Sequence, residues 1–327
     1  MPYDGKSKIT VQSTATSSVR AHRRIRGDVY ETPLIPSKVV GPQAKANLLF
    51  KAENFQLTGS FKFRGASNKM NIMAGGGPLI TASSGNHGIA ASRAAAKHGL
   101  DLTVVLPETV ATAKLDKIKS FGVTIKMHGQ EPGAAEIHAR QLAEETEGLT
   151  YASAYNDPDV IAGQGTIGVE LLDQCNHIDN IFVAMGGGGL ISGIGAVFKS
   201  FQPGAKVFGV AAKNTAALAA SIAAGKIVET EHLETLADGV AGGVDFDSVT
   251  LPLAMAVIDE VVTCTETEIT SSLRRLAIEE HQLVEGAAAL ALAGFEQIAS
   301  RLEGQTSVVV LCGSNYDNAR ILPLLKG

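Results

Sequence analysis

Tryptophan is absent from the 327 residues, and cysteine nearly so: Cys175, Cys264 and Cys312 lie far apart and form no Cys-x-x-Cys pair. That spacing excludes a disulfide framework and a zinc ribbon. No Asn-x-Ser/Thr sequon is present, so nothing points to an oxidising, secretory setting. Apolar runs stop short of the ~18 residues that a membrane helix needs, and the polar stretch through Arg26 lacks the apolar core of a signal peptide. Runs of like charge are missing too: 28 Lys and Arg against 33 Asp and Glu leave a net charge of −5, with no block of five of one sign. Nucleic acid and membrane are therefore not expected partners, and a small molecule in the cytoplasm is. His22, His98, His138, His177 and His281 have no metal-ligand spacing and read as surface or helix-face residues, so no metal site is expected.

What the chain has is apolar mass, 45% of its residues against 19% charged, enough for one large or two medium cores. Short β-branched runs end in Gly- or Pro-bearing turns and lead into Ala-rich helical stretches, the alternation of an α/β fold with mostly parallel sheets covered by helices. Strands are expected at Leu48 to Lys51, Leu79 to Ala82, Leu102 to Leu106, Thr124 to Met127, Asn180 to Ala184, Lys206 to Val210 and Ser307 to Leu311. Helices are expected at Gly88 to His98, Ala111 to Phe121, Gly133 to Glu145, Gly163 to Gln174, Thr215 to Ala224 and Glu266 to Glu280, with a buried one over Ala287 to Ala293. So many strands in this length imply two open sheets and hence two lobes. The break Met73-Ala74-Gly75-Gly76-Gly77-Pro78 marks a lobe crossing.

Several segments carry chemistry. Lys62, in Thr58-Gly59-Ser60-Phe61-Lys62-Phe63-Arg64-Gly65-Ala66, is an amine between two aromatics, where desolvation favours the neutral form that attacks a carbonyl. A surface lysine opening a helix is the plainer alternative. Ala82-Ser83-Ser84-Gly85-Asn86-His87-Gly88 follows a strand and opens a helix, a turn whose backbone N–H groups and helix dipole suit an anion. Met185-Gly186-Gly187-Gly188-Gly189-Leu190 does the same with four glycines. It can hold a phosphate without a basic side chain, yet fits neither G-x-G-x-x-G nor the Walker spacing. Leu311-Cys312-Gly313-Ser314-Asn315 and Ala237-Asp238-Gly239-Val240 are weaker signals; a lone buried cysteine is more often core than ligand.

Taken in order with Thr32-Pro33-Leu34 and Ile161-Ala162-Gly163-Gln164-Gly165-Thr166, these motifs resemble the serine/threonine dehydratase family of pyridoxal-phosphate enzymes, of fold type II, over nearly the whole chain. The resemblance implies a cofactor cleft between a large domain of residues 1–70 and 155–327 and a small mobile domain of residues 71–154, in a homodimer. Lys62 would carry pyridoxal 5'-phosphate as a Schiff base and move the substrate α-proton, with Phe61 against the ring. The amides of Gly186, Gly187, Gly188 and Gly189 would hold the phosphate, and Asn86 the ring hydroxyl. Ser83, Ser84, Gly85, Asn86 and His87 would receive the substrate carboxylate. Ser84 matches the second acid/base residue, on the opposite ring face, and Val240 and Glu285 match residues at the ring edge. Cys312 matches the position facing the pyridine nitrogen. A neutral partner there favours β-elimination over transamination.

The expected reaction is therefore dehydration and deamination of a β-hydroxy amino acid of the serine/threonine type to a 2-oxo acid and ammonia. An amino-acid racemase is the alternative. Around Ala135 and Ala241-Gly242-Gly243 small residues stand where racemising relatives have polar ones, which leaves hydroxyaspartate, phenylserine or a hydroxyectoine breakdown intermediate open as substrates. Where metal-dependent relatives place an acidic pair, this chain reads Ala211-Ala212-Lys213-Asn214-Thr215, so no divalent activation is expected. A nucleotide-binding or catalytically silent sensor on the same frame is the reading from a different class.

Overall fold

The computed structural model describes residues 9–325. Its strands are β1 (Leu34–Pro36), β2 (Asn47–Lys51), β3 (Leu79–Ala82), β4 (Leu102–Leu106), β5 (Thr124–Met127), β6 (Thr150–Tyr151), β7 (Asn180–Ala184), β8 (Lys206–Ala212), β9 (Glu260–Cys264) and β10 (Thr306–Val310). They form two sheets, one in the order β1-β2-β10-β7-β8-β9 and one in the order β5-β4-β3-β6. Every pairing is parallel except β1 with β2. The seven expected strands are all present. The smaller sheet is built from residues between Leu79 and Tyr151, so the chain leaves the larger sheet after β2 and returns to it at β7.

Parallel strands covered on both faces lose their alternation and become continuous apolar runs. β7 is buried at all five residues, and its Phe182 stacks on Phe208 of β8 with centroids 4.6 Å apart. The expected Ala/Leu helix, Gly286–Ile298, packs on this sheet, with Phe295 edge-on to Phe182 at 5.6 Å. The smaller sheet has its own cores, one of Phe63, Met70, Leu79, Ile89 and Leu102 and another of Ile80, Val105, Ala135 and Ala139. Ala135, expected beside the substrate, is thus a core residue at 1% exposure.

The helix expected from Gly163 begins well before it, at Pro158. Asp157 caps the helix Pro158–Gln174, accepting from the N–H groups of Asp159 and Val160, with Pro158 in its first turn. The Ile161–Thr166 motif therefore lies inside that helix. Its Gly163 packs so closely on the helix Lys62–Ile72 that a Cβ would come within 2.5 Å of Gly65 Cα. The motif is a helix-crossing device and sets the helix that carries Lys62 against the larger sheet's layer.

Candidate active site

The carboxyl ends of β7 and β10 and the turn after β3 deliver the candidate residues to one place, where open parallel sheets collect ligands. A cavity there is lined by Phe61, Lys62, Asn86, Tyr155, Gly186 to Ile191, Gly239, Val240, Glu285 and Cys312. Of the turn Ser83–His87, only Asn86 lines it among the described residues; Ser83, Ser84 and Gly85 flank it, partly buried, and His87 is buried.

Lys62 is the first residue of its helix, and its Nζ donates to Ala154 O at 2.8 Å. Burial strips the ammonium of water and pushes its pKa down to about 8, against the upward pull of Glu285 and Glu136. Neutral and charged amine therefore coexist near neutral pH. Phe61 lies alongside, its ring centroid 5.2 Å from the amine, and its N–H donates to Cys312 O at 3.0 Å, which fixes the lysine relative to the end of β10.

The glycine loop runs from β7 into the helix Gly189–Phe201. Ser192 N–H takes the first helical acceptor, Gly188 O, at 3.0 Å, so the amides of Gly189, Leu190 and Ile191 have no acceptor within the helix and face the cavity with its positive end. Two positions of the loop call for glycine. Gly188 has φ of +88°, and a Cβ on Gly187 would sit 2.5 Å from the Tyr155 ring.

Opposite the loop is a polar group that no short stretch of sequence reveals. Asn86 Nδ2 donates to Glu285 Oε1 at 2.9 Å and Oε2 at 3.1 Å. Asn315 donates its backbone N–H to Glu285 Oε2 at 3.1 Å and its Nδ2 to Asn86 Oδ1 at 2.7 Å. Glu285 is buried, which raises its pKa to about 7 although the Asn86 and Asn315 bonds favour the carboxylate; Asp238 adds to the rise. Cys312 Sγ is 3.9 Å from Glu285 Oε1, and burial pushes the thiol well above its ordinary range, so it stays neutral. His87 is neutral as well: burial and the Lys62 charge hold its pKa down to about 3. Its Nε2 therefore carries the proton it donates to Ala152 O at 3.2 Å, since a carbonyl only accepts. That bond ties the Ser83–His87 turn to the chain leaving β6.

Tyr155, Glu136 and Arg140 were not expected here, whereas Asn315 closes the Leu311–Asn315 segment that the sequence singles out. Glu136 and Arg140, on the helix Pro132–Glu145, are paired at 2.8 Å, and Arg140 also reaches Asp245 at 2.7 Å. Tyr155 OH accepts from Asp245 N–H at 2.9 Å. This cluster joins the smaller sheet's layer to the segment that follows Val240. The Asp238–Val240 segment is a 3-10 turn whose last residue is buried at the cavity.

The chain is similar to known proteins. The family described as "Pyridoxal-phosphate dependent enzyme" matches residues 25–313. The catabolic L-threonine dehydratase of Staphylococcus aureus (strain N315) is 36% identical over 313 residues, covering 94% of this chain and 90% of that protein. Among solved structures, the processed threonine deaminase isoform 2 of Solanum lycopersicum superposes with a TM-score of 0.89 at 28% identity, over 98% of this chain and 95% of that one. Maize serine racemase gives 0.87 at 30%, over 95% and 96%.

Proposed function

The chain belongs to the family of pyridoxal-phosphate-dependent enzymes, and from that membership we propose how its own residues act. It is an ammonia-lyase of the threonine dehydratase type, converting a β-hydroxy amino acid to a 2-oxo acid and ammonia. The residues fit the cofactor. A lysine amine of lowered pKa and a cup of helix-terminal amides open into one cavity, as a phosphorylated aldehyde requires. That conjunction carries the assignment of roles.

When bound, the cofactor supplies the aldehyde that captures the amino group and a conjugated ring that spreads the charge left at the α-carbon. Lys62 would hold it and, released by the incoming amino acid, would take the α-proton as an amine that need not first lose its own. The amides from Gly186 to Gly189 would hold the phosphate, and Asn86 the ring hydroxyl. Ser83, Ser84, Gly85 and His87 present the N-terminus of the helix Asn86–His98 to the substrate carboxylate. Val240 and Glu285 would border the ring. Cys312 would face the pyridine nitrogen, and a thiol kept neutral by burial leaves that nitrogen without a proton and favours loss of the β-hydroxyl. Phe61 would pack on the ring.

We further propose that residues 71–154 move as a small domain against the rest, and that the enzyme is a cytoplasmic homodimer; light scattering that returns a monomer removes the dimer. No described helix is long and apolar enough to cross a membrane. A turnover screen of β-hydroxy amino acids, reading 2-oxo acid against inverted enantiomer, tests the reaction. Oxo acid from threonine, serine or a larger analogue supports elimination, whereas enantiomer alone identifies a racemase using Lys62 and Ser84.

A further inference from the structure

Two residues beyond Lys62, Arg64 is fully buried, at 0% exposure, and each guanidinium nitrogen is bonded. Nε and Nη2 donate to the two oxygens of Glu53 at 2.8 Å each. Nη1 and Nη2 donate to the two oxygens of Glu170 at 2.5 and 2.8 Å. Thr166 Oγ1 and Thr32 Oγ1 accept at 3.2 and 3.3 Å, and Tyr30 O at 3.3 Å. Lys51 Nζ completes the group on Glu170 Oε2 at 2.6 Å. Two cations and two carboxylates leave no net charge beneath the active lysine.

Buried ion pairs are weak sources of stability, because desolvation offsets most of the attraction and apolar replacements are often as stable. What a bidentate guanidinium supplies is direction. Here it links the first turn of the helix Lys62–Ile72 to Glu53, to the helix Pro158–Gln174 and to the Tyr30–Thr32 segment. That turn needs a link. Its N-cap residue, Phe61, makes no side-chain cap bond, and the turn holds no acidic residue. Phe61 N–H, bonded to Cys312 O at 3.0 Å, holds it from the cavity side, and Arg64 holds it from the core side.

We propose that Arg64 is a positioning residue for Lys62: its two forks, onto Glu53 and Glu170, fix the first turn of the helix so that the Lys62 amine meets the cofactor aldehyde and the substrate α-carbon at one angle. Arg64 itself does not line the cavity. The proposal rests on the reading of Lys62 as the cofactor-bearing lysine.

Arg64→Lys tests it, since lysine keeps the charge and loses the forks. In a folded variant, kcat should fall by about tenfold to a hundredfold with KM within about twofold, as expected for a displaced reacting group. The visible band of the Lys62–cofactor bond should also form more slowly when cofactor is mixed with the cofactor-free protein, a readout that mere loss of stability does not move. If Arg64→Lys does not fold, Thr166→Val, which deletes one 3.2 Å acceptor, should move both quantities the same way by less. Wild-type kcat and band formation in the folded variant overturn the proposal. Failure of the underlying reading is distinguishable, because Lys62 of the wild-type enzyme would then not be trapped by borohydride.

Discussion

The Lys62 amine donates to the carbonyl oxygen of Ala154 across 2.8 Å, so the reactive group rests on the segment that returns from the smaller sheet to the larger. Both layers thereby shape its surroundings. Burial by the two lowers its pKa to about 8, while Glu285 and Glu136 resist the drop.

The resistance is measurable. In cofactor-free protein, reductive methylation of Lys62 followed by mass spectrometry should reach half its maximal rate near pH 8, well below ordinary lysines. Glu136→Gln removes one upward pull and should move that midpoint lower. A midpoint at the ordinary value near 10.5 would show the amine to be solvated.

Glu285 gives the opposite pH signature. In the fold it keeps its proton to about pH 7, against 4.5 for an ordinary glutamate. Between these values the folded state binds the extra proton, so stability falls as pH rises through the window and the loss is complete above it. The full loss is roughly 3 kcal/mol. Glu285→Gln should flatten the dependence of the melting temperature of cofactor-free protein between about pH 4.5 and about pH 7. Equal slopes in variant and wild type would contradict the burial argument.

The phosphate cup is testable at single glycines. Gly187→Ala sets a methyl 2.5 Å from the Tyr155 ring, whereas Gly204→Ala meets nothing within 4 Å. Absorbance titration should show cofactor binding weakened about tenfold or more by the first, at least about 1.4 kcal/mol, and unchanged by the second. Equal affinities would place the phosphate elsewhere.

The end of β8 and the residue after it offer a cation Ala211, Ala212 and Lys213 where carboxylates would be needed. Turnover should be indifferent to EDTA and to added magnesium. A large response to either would mean a cation site formed by other residues.

Much of this was legible in the chain because parallel strands write themselves as apolar runs closed by glycine turns. Asn180–Ala184 followed by four glycines is such a case. β6, at two residues, is too short to show a pattern, and β9 follows the helix Thr250–Val257 with no glycine between them. The helix Val11–Ile25 also escaped, because apart from Ile25 at its end it buries only small residues, Thr14, Ala15, Ser18 and Ala21. Small residues there allow close approach: a Cβ on Gly165 would meet Ser18 Oγ at 2.1 Å. In the site, Lys62 and the glycine loop each carry their chemistry within a few residues. The Asn86–Asn315 bond spans 229 residues, and Glu136 and Arg140 lie on an ordinary-looking amphipathic helix, so their roles needed the fold. Ala135 was misplaced for the same reason: one residue's rotation on that helix separates the core from the cleft.

Borohydride reduction of the purified enzyme, followed by peptide mass spectrometry, tests the central claim most directly. The account predicts loss of the visible band, a phosphopyridoxyl group on the peptide bearing Lys62, and neither band nor turnover in Lys62→Ala. A label on another lysine, or a Lys62→Ala enzyme that keeps turning over, would contradict it.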